Sequence, residues 1–152
     1  MKSFFMYLIT GVIAALLTLA PLGAQAATPS NEPIDPAGVQ LTPQQQNGIT
    51  YVAGGIGLDE SRALLQTKGY NLHLTFSIGP ENKYTSDVDL TIQAPQGQSL
   101  LNLSQVGPIV FVQLPAGKYQ VLATRGGRTE RSTVEMNASG VRDLNLHWSD
   151  AY

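Results

Sequence analysis

The chain carries DVDLTIQAPQG at residues 87–97, and this stretch decides the fold. Apolar residues occupy every second position, at Val88, Leu90 and Ile92, and polar residues stand between them. Successive side chains of a strand point to opposite faces, so the alternation predicts a strand with one face in a core. The Pro-Gln-Gly of residues 95–97 then predicts a turn into the next strand.

The same two-residue period recurs on both sides of this stretch. It predicts seven strands, at residues 71–78, 84–94, 99–103, 108–114, 118–125, 128–136 and 141–148. Glycine-bearing turns separate most of them. Short strands at this spacing are typical of a sandwich, so we predict an all-β, antiparallel seven-stranded β-sandwich. Residues 108–114 are apolar on both faces and should be covered on both sides, whereas Tyr119 and Trp148 occupy inward positions and should lie in the core.

The segment that precedes these seven strands has a different pattern. Residues 49–53 predict a short strand, and residues 58–68 predict one short helix that lies on a sheet edge. Asp59 is expected to cap this helix, and Lys68 and Gly69 suit its carboxyl end. Its apolar face is narrow and consists of Leu58, Leu64 and Leu65.

Residues 87–97, together with VFVQLPAGKYQV at residues 110–121, resemble the carboxypeptidase regulatory-like domain, a transthyretin-like (prealbumin-like) sandwich. In that family a strand ends in a turn with glycine, and a later strand runs through L-P-x-G-x-Y. The match covers roughly residues 84–148. The resemblance implies a prealbumin-like fold and an accessory or binding role beside another domain, with no catalytic residues to transfer.

The first 26 residues predict an export signal. Lys2 precedes a long apolar run, and Ala24-Gln25-Ala26 is a small-x-small cleavage site, so we expect the mature chain to begin at Ala27. Residues 27–47 are rich in proline and glutamine and predict a disordered leader. Residues 48–152 form the predicted sandwich domain. The short, lysine-led signal is of bacterial type and predicts a periplasmic or secreted protein without stable membrane insertion after cleavage.

Composition excludes several classes of function. The chain has no cysteine, which excludes disulfides, a thiolate nucleophile and any Cys-ligated metal. The net charge of −2 argues against a nucleic-acid partner, which requires a basic surface. The Gly-Gly-Ile-Gly at residues 54–57 lacks the Gly-Lys-Ser/Thr of a phosphate-binding loop and predicts only the turn into the helix.

Two groups of residues are candidates for a binding surface. His73, Asp87, Asp89 and His147 all fall on outward positions of predicted strands, and if the first and last strands share a sheet edge the four would meet and bind zinc or copper. The alternative is that they are separate solvated residues on a wet face.

Arg125, Arg128 and Arg131 surround the Gly126-Gly127 hairpin and form the second group. They would bind an acidic glycan or a partner's carboxylate. The alternative is a charged hairpin tip that prevents edge pairing between molecules.

Neither group points to catalysis, because the sequence has no G-x-S-x-G nucleophile context and its acidic residues are explained by capping and solubility. We therefore expect a non-catalytic binding or accessory module with no cofactor, whose partner is an envelope protein or a glycan. The alternatives are a metal-binding periplasmic protein and a small hydrolase. A deep pocket with convergent polar groups would favour an enzyme.

Overall fold

A computed structural model describes residues 39–149. They form ten strands and one helix. In chain order these are β1 (Gln44–Gln46), β2 (Ile49–Gly54), α1 (Leu58–Gln66), β3 (Leu72–Ile78), β4 (Lys83–Tyr84), β5 (Val88–Gln93), β6 (Ser99–Val106), β7 (Ile109–Gln113), β8 (Gly117–Arg125), β9 (Arg128–Met136) and β10 (Arg142–Trp148).

The strands form two sheets. Sheet A has the order β1-β2-β7-β3-β10, and β4 pairs with β3 as its sixth strand. Sheet B has the order β6-β5-β8-β9 and is antiparallel throughout. Apolar residues of both sheets share one core, so the protein is mostly β with a β-sandwich-like fold.

The prediction of seven antiparallel strands is wrong in number and in direction. Sheet A is mixed, because β10 runs parallel to β3. The single strand predicted at residues 84–94 is two strands, since Asp87 has a φ of 59° and breaks the extended backbone. As a result β4 pairs with β3 in sheet A, whereas β5 lies in sheet B.

The core lies between the sheets, where the alternating pattern predicted it. Leu72, Leu74 and Phe76 of β3 are fully buried. Tyr119 and Trp148 join the same cluster, which confirms both predictions. The side chains of β5 complete it from sheet B with Val88, Leu90 and Ile92.

A second, smaller cluster lies on the outer face of sheet A. Leu64 of α1 packs there against Val52 of β2 and against Ile109 and Phe111 of β7. The alternate residues of β7, Val110 and Val112, face the main core, so this strand is covered on both sides as predicted. Hence α1 rests on the face of β2 and β7 and not on a sheet edge.

The ends of α1 differ from the prediction. Asp59 does not cap the helix; the N-cap residue is Gly57, whose φ of 106° requires a glycine. The helix ends at Gln66, followed by Thr67 in extended conformation, so Lys68 lies beyond it. Of the predicted apolar face only Leu64 is buried, because a helix this short reaches the sheet with a single turn.

Side-chain hydrogen bonds join the two sheets along one side of the molecule. The Gln46 amide donates to the Asn102 carbonyl at 3.2 Å and accepts from the Asn102 amide, as a neighbouring strand would. Asn47 Nδ2 donates to the Leu100 carbonyl at 3.1 Å. These bonds hold residues 44–46, which fall within the predicted leader, beside sheet B. Residues 1–38, which hold the predicted signal and the rest of that leader, lie outside the described residues.

The opposite side is closed in the same way, between edge strands β9 and β10. Arg142 Nε donates to the Glu135 carbonyl at 3.2 Å, and Trp148 Nε1 donates to the Arg128 carbonyl at 3.1 Å. Each bond spans the gap between the sheets at one end of β10.

Candidate functional site

The outer faces of β3 and β10 carry one continuous row of polar side chains, which we call the polar ladder. Its members are paired across the two strands as His73 with Asp143, Thr75 with Asn145, and Ser77 with His147. The parallel register produces this match, because the polar positions of both strands alternate with core leucines and therefore share a face.

His73 is the most constrained member of the polar ladder. Its Nδ1 lies 3.0 Å from Asp143 Oδ1, and its ring stacks on Phe111 with 3.8 Å between centroids and 13° between planes. A carboxylate only accepts hydrogen bonds, so Nδ1 carries the proton of the neutral ring. The unprotonated Nε2 is then an acceptor held in a fixed orientation.

Asn145 and Ser77 continue the polar ladder. The Asn145 Oδ1 accepts from Thr75 Oγ1 at 3.2 Å and from Ser77 Oγ at 3.1 Å. Ser77 Oγ also lies 3.0 Å from His147 Nδ1. Since the hydroxyl has given its one proton to Asn145, Nδ1 of His147 must donate, which leaves its Nε2 as a second acceptor.

A groove of about 390 Å³ opens beside His73, between α1 and β10. Its apolar part comes from Leu65 and Phe111, and its polar part from the polar ladder. The full lining is Leu65, His73, Thr75, Phe111, Asp143, Leu144 and Asn145. An acceptor at His73, a carboxylate at Asp143 and an adjacent apolar wall suit a ligand that presents hydroxyl or N–H donors beside an apolar surface.

The four residues predicted to meet at a metal site do not meet. His73 and His147 share a face of sheet A, but they are four register positions apart, about 13 Å at 3.3 Å per residue. Asp89 belongs to sheet B, where its Oδ1 accepts from the Gln105 amide at 3.0 Å. Asp87 is exposed between β4 and β5. Across residues 39–149 there is no cluster of three or more His, Cys, Asp or Glu residues able to hold a metal.

The three arginines form no single group either. Arg125 and Arg128 are paired beside a hairpin whose glycines, Gly126 and Gly127, have the positive φ values of a type I′ turn. Arg131 is paired with Leu122, and strand alternation places it on the opposite face of sheet B from Arg128. An anion would therefore meet two of these arginines and not three.

In the glycine-rich turn before α1, the backbone amides already bind a carboxylate of the same chain. The Glu60 Oε2 accepts from the amides of Gly55 and Ile56, at 3.1 and 3.0 Å. A phosphate-binding loop would need such amides for its ligand. The geometry supports the turn that the sequence predicted.

A larger and more polar cleft, about 530 Å³, lies between the β1–β2 hairpin and β6. Gln46 and Asn102 line it, and their groups are already bonded to each other. The groove beside His73 combines a histidine with an available acceptor and an apolar wall, so it is the better candidate.

Sequence reasoning found His73 and His147 but missed Asp143, Asn145, Thr75 and Ser77. The available signal was the polar alternation of residues 73–77 and 143–147. The sequence does not indicate that β3 and β10 pair in parallel, and this pairing brings the two sets of polar residues together.

No known family model and no curated protein matches the sequence. The helix among residues 39–149 is too short to span a membrane.

Proposed function

We propose that the protein is an exported, non-catalytic binding module whose recognition site is the groove beside His73. The observation that carries this proposal is the His73–Asp143 pair stacked on Phe111. Two groups from two other strands, Asp143 of β10 and Phe111 of β7, fix the imidazole at the mouth of a groove, and such fixed polar groups beside an apolar wall are typical of ligand sites. The resemblance of residues 84–148 to the carboxypeptidase regulatory-like domain supports the same role.

The chemistry of the groove favours a hydroxyl-bearing or N–H-bearing partner, such as an envelope glycan or an exposed peptide segment. Binding is favoured over catalysis because Ser77, which lies beside His147, is 2% exposed and its hydroxyl is engaged by Asn145. A buried, engaged hydroxyl is a poor nucleophile toward a dissolved substrate.

Photo-crosslinking in the producing cell tests the recognition site. A benzoylphenylalanine at Leu65, exposed on the rim of the groove, should capture a partner, and capture should be lost when His73→Ala is added. The matched control is the same label at Thr133, on the outer face of sheet B. Equal capture at both positions, or capture at Leu65 that is indifferent to His73→Ala, would contradict the proposal.

Export rests on residues 1–26 and has its own test. N-terminal sequencing of the protein from the cell envelope should begin at Ala27. A chain that keeps Met1 would contradict both cleavage and the proposed location.

A further inference from the structure

β10 is the last strand of sheet A, and its outer edge pairs with no other strand among residues 39–149. The edge is seven residues long and contains no proline. Long, regular edges of this kind pair readily with another strand. Asp143 and Asn145 are exposed along it.

The hydrogen bonds that β10 makes to the residues on either side of β3 show which backbone groups of β10 remain available to pair with another strand. The Arg142 amide donates to Asn71, and the Trp148 carbonyl accepts from Gly79. In a ladder the groups that face one neighbour belong to alternate residues, so Arg142, Leu144, Leu146 and Trp148 face β3. The amides and carbonyls of Asp143, Asn145 and His147 therefore point away from the sheet.

The side chains along this edge are complementary to themselves. In an antiparallel pair of two β10 strands with Asn145 at the centre, Asp143 stands opposite the second copy's His147, and the reverse pair repeats it. Leu144 stands opposite the second copy's Leu146, which extends the core contact. The Cβ atoms of directly opposite residues in a ladder are about 4.5–5.5 Å apart, within reach of a carboxylate–imidazole hydrogen bond.

The chemistry of both partners is suitable. Asp143 uses Oδ1 for His73, and its Oδ2 faces no partner that the structure describes. His147 uses Nδ1 for Ser77 and has Nε2 left for the second copy; in the paired state both ring nitrogens donate, Nδ1 to Ser77 and Nε2 to the second copy's Asp143. A two-fold axis through Asn145 generates all these contacts twice, which is the usual symmetry of a homodimer.

We propose that two copies of this chain pair through β10, antiparallel and centred on Asn145, so that two six-stranded sheets become one. The occupant of the edge is a second copy because the Asp143–His147 complementarity exists only in this register, whereas a foreign strand would have no reason to match it. The interface uses the edge of β10 and does not depend on the proposed function of the groove.

The absence of cysteine from the chain gives a direct test. Asn145→Cys places one thiol from each copy at the centre of the pair, where Cα atoms about 5.5 Å apart suit a disulfide. Mild oxidation should give a covalent dimer, and Thr133→Cys, exposed on sheet B, should give none. If Thr133→Cys crosslinks equally well, or Asn145→Cys does not crosslink while circular dichroism shows it folded, the interface is wrong.

A charge exchange provides a second test that keeps Asn145 and its bonds to Thr75 and Ser77. Sedimentation equilibrium of the purified protein should show a dimer. Asp143→Lys should raise its dissociation constant about tenfold or more, because two attractive pairs are lost. The double variant Asp143→Lys/His147→Asp should restore the dissociation constant of the unmodified protein. The control Asp59→Lys, on the exposed side of α1, should leave the dissociation constant unchanged.

A wild-type protein that sediments as a monomer would overturn the proposal, including the case in which β10 pairs with a different protein. A dimer that is unaffected by Asp143→Lys would also overturn it, because the copies would then meet elsewhere.

Discussion

The indole Nε1 of Trp148 donates a 3.1 Å hydrogen bond to the carbonyl oxygen of Arg128 and so joins the edge strands of the two sheets. The ring itself is buried against Phe76, with 6.4 Å between centroids. Trp148 therefore contributes both core packing and a cross-sheet bond at one end of the molecule.

Substitution of Trp148 should separate these two contributions. Trp148→Ala should lower the free energy of unfolding by about 3–5 kcal/mol, because it leaves a large cavity. Trp148→Phe keeps an aromatic ring but loses the bond to Arg128, so its cost should be about 1–2 kcal/mol. Denaturant titrations followed by circular dichroism measure both, with exposed Leu65→Ala as the control. Equal losses for the two Trp148 variants would show that the packing of the ring is unimportant.

Tyr119 should make stability fall at alkaline pH. Its hydroxyl donates to the Pro115 carbonyl at 2.8 Å, and burial raises the pKa of Tyr119 above its ordinary value. The unfolded chain therefore ionises first: the contribution is complete below about pH 10 and is lost as pH rises through the higher pKa of the folded state.

Tyr119→Phe isolates this effect. The variant should cost about 1 kcal/mol near neutral pH and should lose less additional stability above about pH 10 than the wild type. The control is Tyr84→Phe, since Tyr84 is exposed. Urea titrations at several pH values provide the comparison, and parallel pH profiles for wild type and Tyr119→Phe would refute the assignment.

Gly107 should not tolerate a side chain. A Cβ there would lie 2.5 Å from the Gly54 carbonyl oxygen, where the backbone after β6 passes the end of β2. We expect Gly107→Ala to destabilise the protein by about 1–3 kcal/mol, because backbone must move. Gly140→Ala is the matched control: its nearest contact is 3.9 Å away, so a change within about 0.5 kcal/mol is expected.

Gln46 should contribute more to the stability of the protein than Gln45, its neighbour in β1. Gln46→Glu keeps an acceptor for the Asn102 amide but places a carboxylate beside the Asn102 carbonyl, at a cost of about 1–2 kcal/mol. Gln45→Glu introduces the same charge one residue away and should change stability by less than about 0.5 kcal/mol. Hydrogen exchange of the Asn102 amide should accelerate in the first variant only; similar exchange in both would show that the bond is dispensable.

The His73–Asp143 pair predicts a specific tautomer. In the neutral ring of His73 the proton should be on Nδ1, which long-range ¹H–¹⁵N correlation spectra detect directly. Asp143→Leu removes the acceptor and should move the proton population toward Nε2. The signals of His147, which is held by Ser77, should keep their pattern. An Nε2–H tautomer of His73 in the unmodified protein would remove the basis of the proposed recognition site.

The two-residue alternation of apolar and polar residues predicts which face of a strand is buried. It does not predict which strands are neighbours in a sheet. Leu72, Leu74 and Phe76 are buried as predicted, because alternation alone determines which side of a strand is apolar. The sequence of Arg142–Trp148 does not indicate that this strand pairs with β3 or that the two strands are parallel. That choice depends on long-range packing, and so the contact of Asp143 with His73 could not be predicted.

Two other differences from the prediction have separate causes. Asp87 adopts a positive φ that its neighbours do not reveal, and one predicted strand becomes two. Gln44–Gln46 has no apolar residue, yet the hydrogen bonds of Gln46 to β6 hold it as a strand. For Gln46 the deciding interaction is with Asn102, which is distant in sequence.

The parallel pairing of β3 with β10 also governs the order in which the molecule can be assembled. His73 and Asp143 are 70 residues apart, and β10 is the last strand of the described chain. Neither the polar ladder nor the closure at Trp148 can form before residues 142–148 have been synthesised, and contacts over such separations form slowly. Closure of the described sandwich only after β10 is available is compatible with the proposed export, in which the chain would cross the membrane before it folds.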